Sequence, residues 1–108
     1  MNINFALEYI PRRMEELGHG DNYALRLRHL VLKPNERLEI DAYNQLYVLI
    51  EEAEDVHIES LTGIFDLSIK NANEMQYEHQ GSISIRNLSE INRHVRFIQV
   101  IPKHNKIN

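Results

Sequence analysis

Hydrophobic residues recur at every second position through most of this chain, and that period commits it to β-strands. From Tyr23 onward, Leu25, Leu27, His29 and Val31 alternate with Arg26, Arg28, Leu30 and Leu32. Lys33-Pro34-Asn35 then supplies a turn. Residues 37–41 (RLEID) alternate again with Leu38 and Ile40 inward, and residues 45–51 (QLYVLIE) form the most apolar run, which predicts a central strand. Further on, Val56, Ile58 and Ser60 alternate against His57 and Glu59, and residues 63–67 (GIFDL) read as a short strand. Residues 68–74 are expected to be a loop. Met75, Tyr77 and His79 then share a strand face, before Gln80-Gly81 bends the chain. Ile83 and Ile85 alternate with Ser82, Ser84 and Arg86, residues 87–92 connect, and residues 94–101 form the last strand, ended by Pro102. About seven to eight short strands at this spacing predict an all-β domain, a single β-sandwich or jelly-roll-like antiparallel barrel. Greek-key, jelly-roll and cupin-like strand orders all satisfy the pattern.

The first 22 residues depart from that period. Residues 3–10 (INFALEYI) are apolar enough to dock on something, and Pro11 suits the first turn of a helix. Met14 and Leu17 lie three apart, and Gly18 can close the helix. A short helix is therefore expected over 11–17. The resulting organisation is an N-terminal arm (1–22), a β domain (23–102) and a polar tail (103–108). With 108 residues, one domain can bury a core without staples. No apolar run reaches the ~20 residues of a membrane span, so no membrane role is expected. The opening residues lack the order of a secretory signal, and there is no cysteine, which together predict cytoplasmic synthesis.

The net charge of −4 is unevenly distributed. Residues 51–85 carry only Lys70 against Glu51, Glu52, Glu54, Asp55, Glu59, Asp66, Glu74 and Glu78, whereas residues 86–108 carry Arg86, Arg93, Arg96, Lys103 and Lys106 against Glu90. Two arrangements produce such a split. The acidic and basic segments pair within one fold, or an acidic surface on one copy meets a basic surface on another. The second makes Glu51, Glu52, Glu54, Asp55, Arg93 and Arg96 partner-binding residues. Phe5, Leu7, Tyr9 and Ile10 join them, because an apolar N-terminal arm either packs on a partner or caps the domain it precedes. An acidic total argues against nucleic-acid binding, which needs a basic footprint. Phe97 with Arg93 and Arg96 is the nearest approach to one, and reads as a core residue with exposed arginines beside it.

Catalytic patterns are missing. There is no G-x-S-x-G elbow, no phosphate-binding glycine loop, no calcium-loop spacing and no cysteine nucleophile. Six histidines invite a metal, yet none forms an H-x-H or H-E-x-x-H pair. The alternative to an assembly role is a cupin-like barrel holding a metal or small ligand, with His57, Glu78 and His79 as its residues. A strand places Glu78 and His79 on opposite faces, which favours His79 as a hydrogen-bonded core histidine. No cofactor is expected from these patterns. Carbohydrate binding would draw on Tyr23, Tyr43 and Tyr47, although strand tyrosines commonly serve packing.

Four segments, LGHGDNYALRLRHLVL, GIFDLS, YEHQGSISIRN and HVRFIQVIPKH, together cover most of the chain. They resemble small β-rich structural proteins of tailed phages of gut bacteria, of the capsid-auxiliary or decoration kind. The resemblance implies a virion component, made in the bacterial cytoplasm, that docks on other protein subunits as a homo-oligomer or on capsid proteins. It assigns no binding residue.

Overall fold

A computed structural model describes residues 2–68 and 76–103. The expected loop over 68–74 falls largely outside the described residues, as do Met75 and the end of the tail. The described residues form one helix, α1 (Ile3–Glu16), and six strands: β1 (Tyr23–Leu32), β2 (Arg37–Leu49), β3 (Val56–Ser60), β4 (Gly63–Asp66), β5 (Glu78–Asn87) and β6 (Arg93–Pro102). All pairings are antiparallel, in one sheet of order β1-β6-β2-β5-β3-β4. The sheet does not close, and among the described residues β1 and β4 are its edge strands.

Six strands stand where about seven to eight were expected, because two interruptions are bends rather than breaks. The runs at 37–41 and 45–51 are one strand, β2, whose pairing with β5 shifts register between Ala42 and Tyr47. Within that shift Asn44 takes a left-handed conformation, φ 62°, the signature of a bulge that tightens twist. Opposite Ala42 lies Gly81 on β5, at φ 76°. It is this left-handed conformation that calls for glycine, since the nearest atom to a Cβ there is the terminal methyl of the exposed Leu61 side chain. Both strands therefore depart from regular geometry at the same level of the ladder.

Two apolar clusters result. In the larger, Phe97, Leu49, Tyr47, Val95 and Leu32 join Ile58, Ile83, Ile85, Val56 and Leu67. On the opposite face, Leu46, Val48, Ile98 and Val100 receive Ala6, Ile10 and Met14 of α1. These helix residues recur every four positions, one stripe of a helix.

The helix is longer than the expected 11–17 and runs through Pro11. An interior proline forfeits one backbone hydrogen bond at a cost of about 3 kcal/mol. Burial of the side chains on either side of it offsets that cost. Asn2 caps the start, its Oδ1 accepting from Phe5 N–H at 2.9 Å. Gly18, at φ 83°, ends it: Gly18 N–H donates to Glu15 C=O and His19 N–H to Met14 C=O, the paired bonds of a Schellman closure.

Candidate docking surface

The alternation of β1 decides this surface. Leu25, Leu27, His29 and Val31 share the sheet face that carries α1, opposite Val100, Ile98, Arg96 and His94 of β6. The helix covers Ile98 and Val100 but does not reach the edge strand. Leu25, Leu27 and Val31 are accordingly exposed, Leu27 at 63%. Along its length β1 pairs only with β6 among the described residues, so its outer row of backbone groups is unpaired. Tyr9 and Arg13 project from the flank of α1 toward β5, where both bond Glu78. Helical spacing places Leu7 on the other flank, toward β1, and Ile3, Phe5 and Leu7 are exposed. Phe5 precedes Tyr9 by one helical turn and shares its flank, beside Tyr77 and away from β1, so the apolar surface at the sheet edge is the exposed row of β1 itself.

The predicted partner-binding residues divide between surface and interior. Phe5 and Leu7 are exposed, Tyr9 is half-buried and Ile10 is fully buried under the helix. The arm both caps the sheet and presents side chains outward. The acidic corner and the basic end meet inside the chain: Arg93 bonds Asp55 at 2.8 Å and Arg96 bonds Glu51 at 3.2 Å. Glu52 is half-buried nearby and Glu54 exposed. The charge split therefore closes largely on itself, through pairs of modest strength.

The metal alternative's residues stand apart. Glu78 lies on the helix-bearing face, engaged by the Tyr9 hydroxyl at 2.5 Å and Arg13 Nε at 2.9 Å. His79 lies on the other face, opposite Tyr47. His57 approaches Asp66 at 4.0 Å, and its strand neighbours Val56 and Ile58, not His57, enter the core. Among the described residues no three His, Cys, Asp or Glu side chains gather around a common point. The tyrosines do not share a groove: Tyr47 packs edge-on to Phe97 in the core, Tyr23 packs beneath the helix and Tyr43 is exposed.

His79 is a fully buried core histidine with both nitrogens engaged. Nε2 lies 2.7 Å from the Gln76 carbonyl, and Nδ1 lies 2.7 Å from Ser60 Oγ. A carbonyl only accepts, so the proton sits on Nε2 and Nδ1 accepts from the serine hydroxyl. This Ser-His contact resembles half of a nucleophilic set. The imidazole is nevertheless sealed from solvent, and Ser60 also exchanges a hydrogen bond with Thr62. Burial pushes the His79 pKa down, outweighing the opposing pull of the Gln76 bond and the Glu78 charge. In an unfolded chain the same imidazole takes a proton near pH 6.5. Folding stability is therefore full above about pH 6.5 and falls as the pH drops from there toward the lower folded-state pKa. Urea titrations between pH 7.5 and 5 are expected to show this loss, and His79→Gln to flatten it. An equal slope in the variant would mean that other groups set the pH dependence.

Sequence reasoning missed a histidine pair. His29 Nε2 and His94 Nδ1 lie 2.7 Å apart on the exposed face, although 65 residues separate them in the chain. Nothing in the sequence flags the pair, because it depends on the β1–β6 register.

Among the described residues, no helix is long and apolar enough to cross a membrane. Comparison with protein-family models, with curated proteins and with solved structures finds no match.

Proposed function

We propose that this chain is a non-catalytic assembly protein, in keeping with the capsid-auxiliary or decoration type its segments resemble, and that its first contact is with a second copy of itself through β1. One observation carries the proposal: a ten-residue edge strand whose helix-side face is an exposed apolar row. Proteins blunt such edges with proline, bulges, inward charges or a covering element. β1 has no proline and pairs with β6 in unbroken register, and its charges, Arg26 and Arg28, are confined to the face away from the apolar row, where Arg28 bonds Tyr47 and Gln99. A second copy supplies an identical unpaired edge, and antiparallel pairing of two such edges forms a closed two-fold interface. The fold reading that accompanies this one is a small sandwich, its layers being the two halves of the sheet around Phe97 and Ile58.

Analytical ultracentrifugation of the full chain tests the proposal. Self-association is expected at micromolar concentration. Leu27→Asn withdraws an apolar side chain twice per two-fold interface, which predicts a dissociation constant about 100-fold weaker, from roughly 1.5 kcal/mol per copy. A wild-type chain that stays monomeric at about 100 μM, or a variant that associates like wild type, would overturn it.

A further inference from the structure

We infer that His29 and His94 form a binding site for one divalent transition-metal ion per chain. In the antiparallel register Val31 faces His94 and His29 faces Arg96, which makes the two histidines diagonal neighbours on one sheet face. Their ring centres are 5.0 Å apart, with 38° between the planes. At 2.7 Å, one ring nitrogen donates and the other accepts, so a single proton lies between two nitrogen lone pairs. A metal ion can take the place of that proton and accept both lone pairs. Metal–imidazole bonds of about 2.0–2.1 Å set two nitrogens on one ion roughly 3 Å apart, so a small side-chain rotation converts the hydrogen bond into a chelate. Both side chains are exposed, which makes the rotation cheap, and both backbones are fixed by the β1–β6 ladder.

The surroundings tolerate a cation. Arg96, the nearest basic side chain on this face, is paired with Glu51, and Arg93 is paired with Asp55. The adjacent positions Leu27 and Val31 carry no charge. No third side chain completes the set among the described residues, so the remaining coordination positions fall to water or an incoming donor. Imidazole ligation with open positions suits copper(II) best, then nickel(II) and zinc(II), following the general affinity order. His79 contributes nothing, since its nitrogens are committed inside the fold.

Copper(II) titration of the full chain, followed by electron paramagnetic resonance, tests the site. One copper per chain is expected, with spectra reporting two imidazole nitrogens. His29→Asn and His94→Asn are each expected to weaken binding by about tenfold or more, and His57→Asn to leave it unchanged. Both positions are exposed, and unchanged thermal melting confirms that the variants fold. Wild-type affinity in either variant, or spectra with a single imidazole, would overturn the site. Leu27→Asn adds neither charge nor imidazole, so it is expected to retain copper even where self-association is lost. The two proposals therefore fail separately.

Discussion

Asn87→Ala is expected to destabilise the fold by about 3 kcal/mol, more than any surface change considered above. Asn87 ends β5 and is fully buried. Its amide NH2 shares two hydrogens among the carbonyls of Leu32, Lys33 and Ile91, at 3.1, 3.0 and 2.8 Å. Its Oδ1 accepts from the Ser89 backbone N–H and hydroxyl at 2.9 and 2.7 Å. One side chain thus joins the end of β1, the turn into β2 and the connection between β5 and β6. Alanine takes the side-chain donor from the buried Leu32 carbonyl and the acceptor from Ser89, whereas Lys33 C=O keeps the Glu36 N–H and Ile91 C=O keeps the Ser89 hydroxyl; a desolvated orphan group and the space left by the amide are both expensive. Asn87→Asp separates the two halves of the role: it keeps the acceptors for Ser89 and loses the donors. Urea denaturation with an unchanged m-value is the measurement. A midpoint close to wild type in Asn87→Asp would show that the Ser89 bonds, not the three carbonyls, matter.

Asn87 also marks where sequence reasoning stopped. Within residues 87–92 it reads as one polar residue of a connecting loop, since its bonds to Leu32 and Lys33 span 55 and 54 residues of sequence. Where local pattern decides structure, the chain is legible. The alternation from Tyr23 to Leu32 gives β1 its bounds, and that from Val56 to Ser60 gives β3 its bounds. Errors arise where two signals compete. Gly81 looks like a strand terminator, but its partner Ala42 sits where β2 also departs from regular geometry, so the ladder continues through both. Pro11 looks like a helix start, although Ala6, Ile10 and Met14 already have helical spacing across it. Burial of that stripe decides the outcome, and burial is a property of the sheet beneath. The same limit governs the surface. The charge split is visible in the sequence, but its closure by Arg93–Asp55 and Arg96–Glu51 depends on which loop meets which strand. The His29–His94 contact depends on register alone.

Glu78→Leu is expected to loosen α1 from the sheet while leaving the β ladders intact. The Glu78 carboxylate is nearly buried, and one oxygen accepts from both Tyr9 and Arg13. Burial, and then the bond to Glu78, hold the Tyr9 hydroxyl protonated well above its ordinary range. The Arg13 guanidinium is likewise held charged, by its bond to Glu78 above all. Leucine removes the shared acceptor and leaves two polar groups facing an apolar side chain. Arg13 retains Glu16 at 3.1 Å and partial exposure, so the loss is discounted to about 2 kcal/mol from the ~3–5 of a fully buried pair. Glu78→Gln keeps an acceptor for Tyr9 and is expected to cost about 1 kcal/mol. Amide hydrogen exchange localises the effect: faster exchange is expected in Ile3–Glu16, with protection in the β1–β6 ladder retained. Uniform loss of protection would show that helix and sheet unfold as one unit. Freed from Ala6, Ile10 and Met14, the residues Leu46, Val48, Ile98 and Val100 become continuous with the exposed row on β1. The apolar face then exceeds what one edge pairing covers. The variant is expected to pass from defined self-association to open-ended aggregation at the same concentration. Under the proposed self-association, Glu78 would limit how much of this face is available to a second copy.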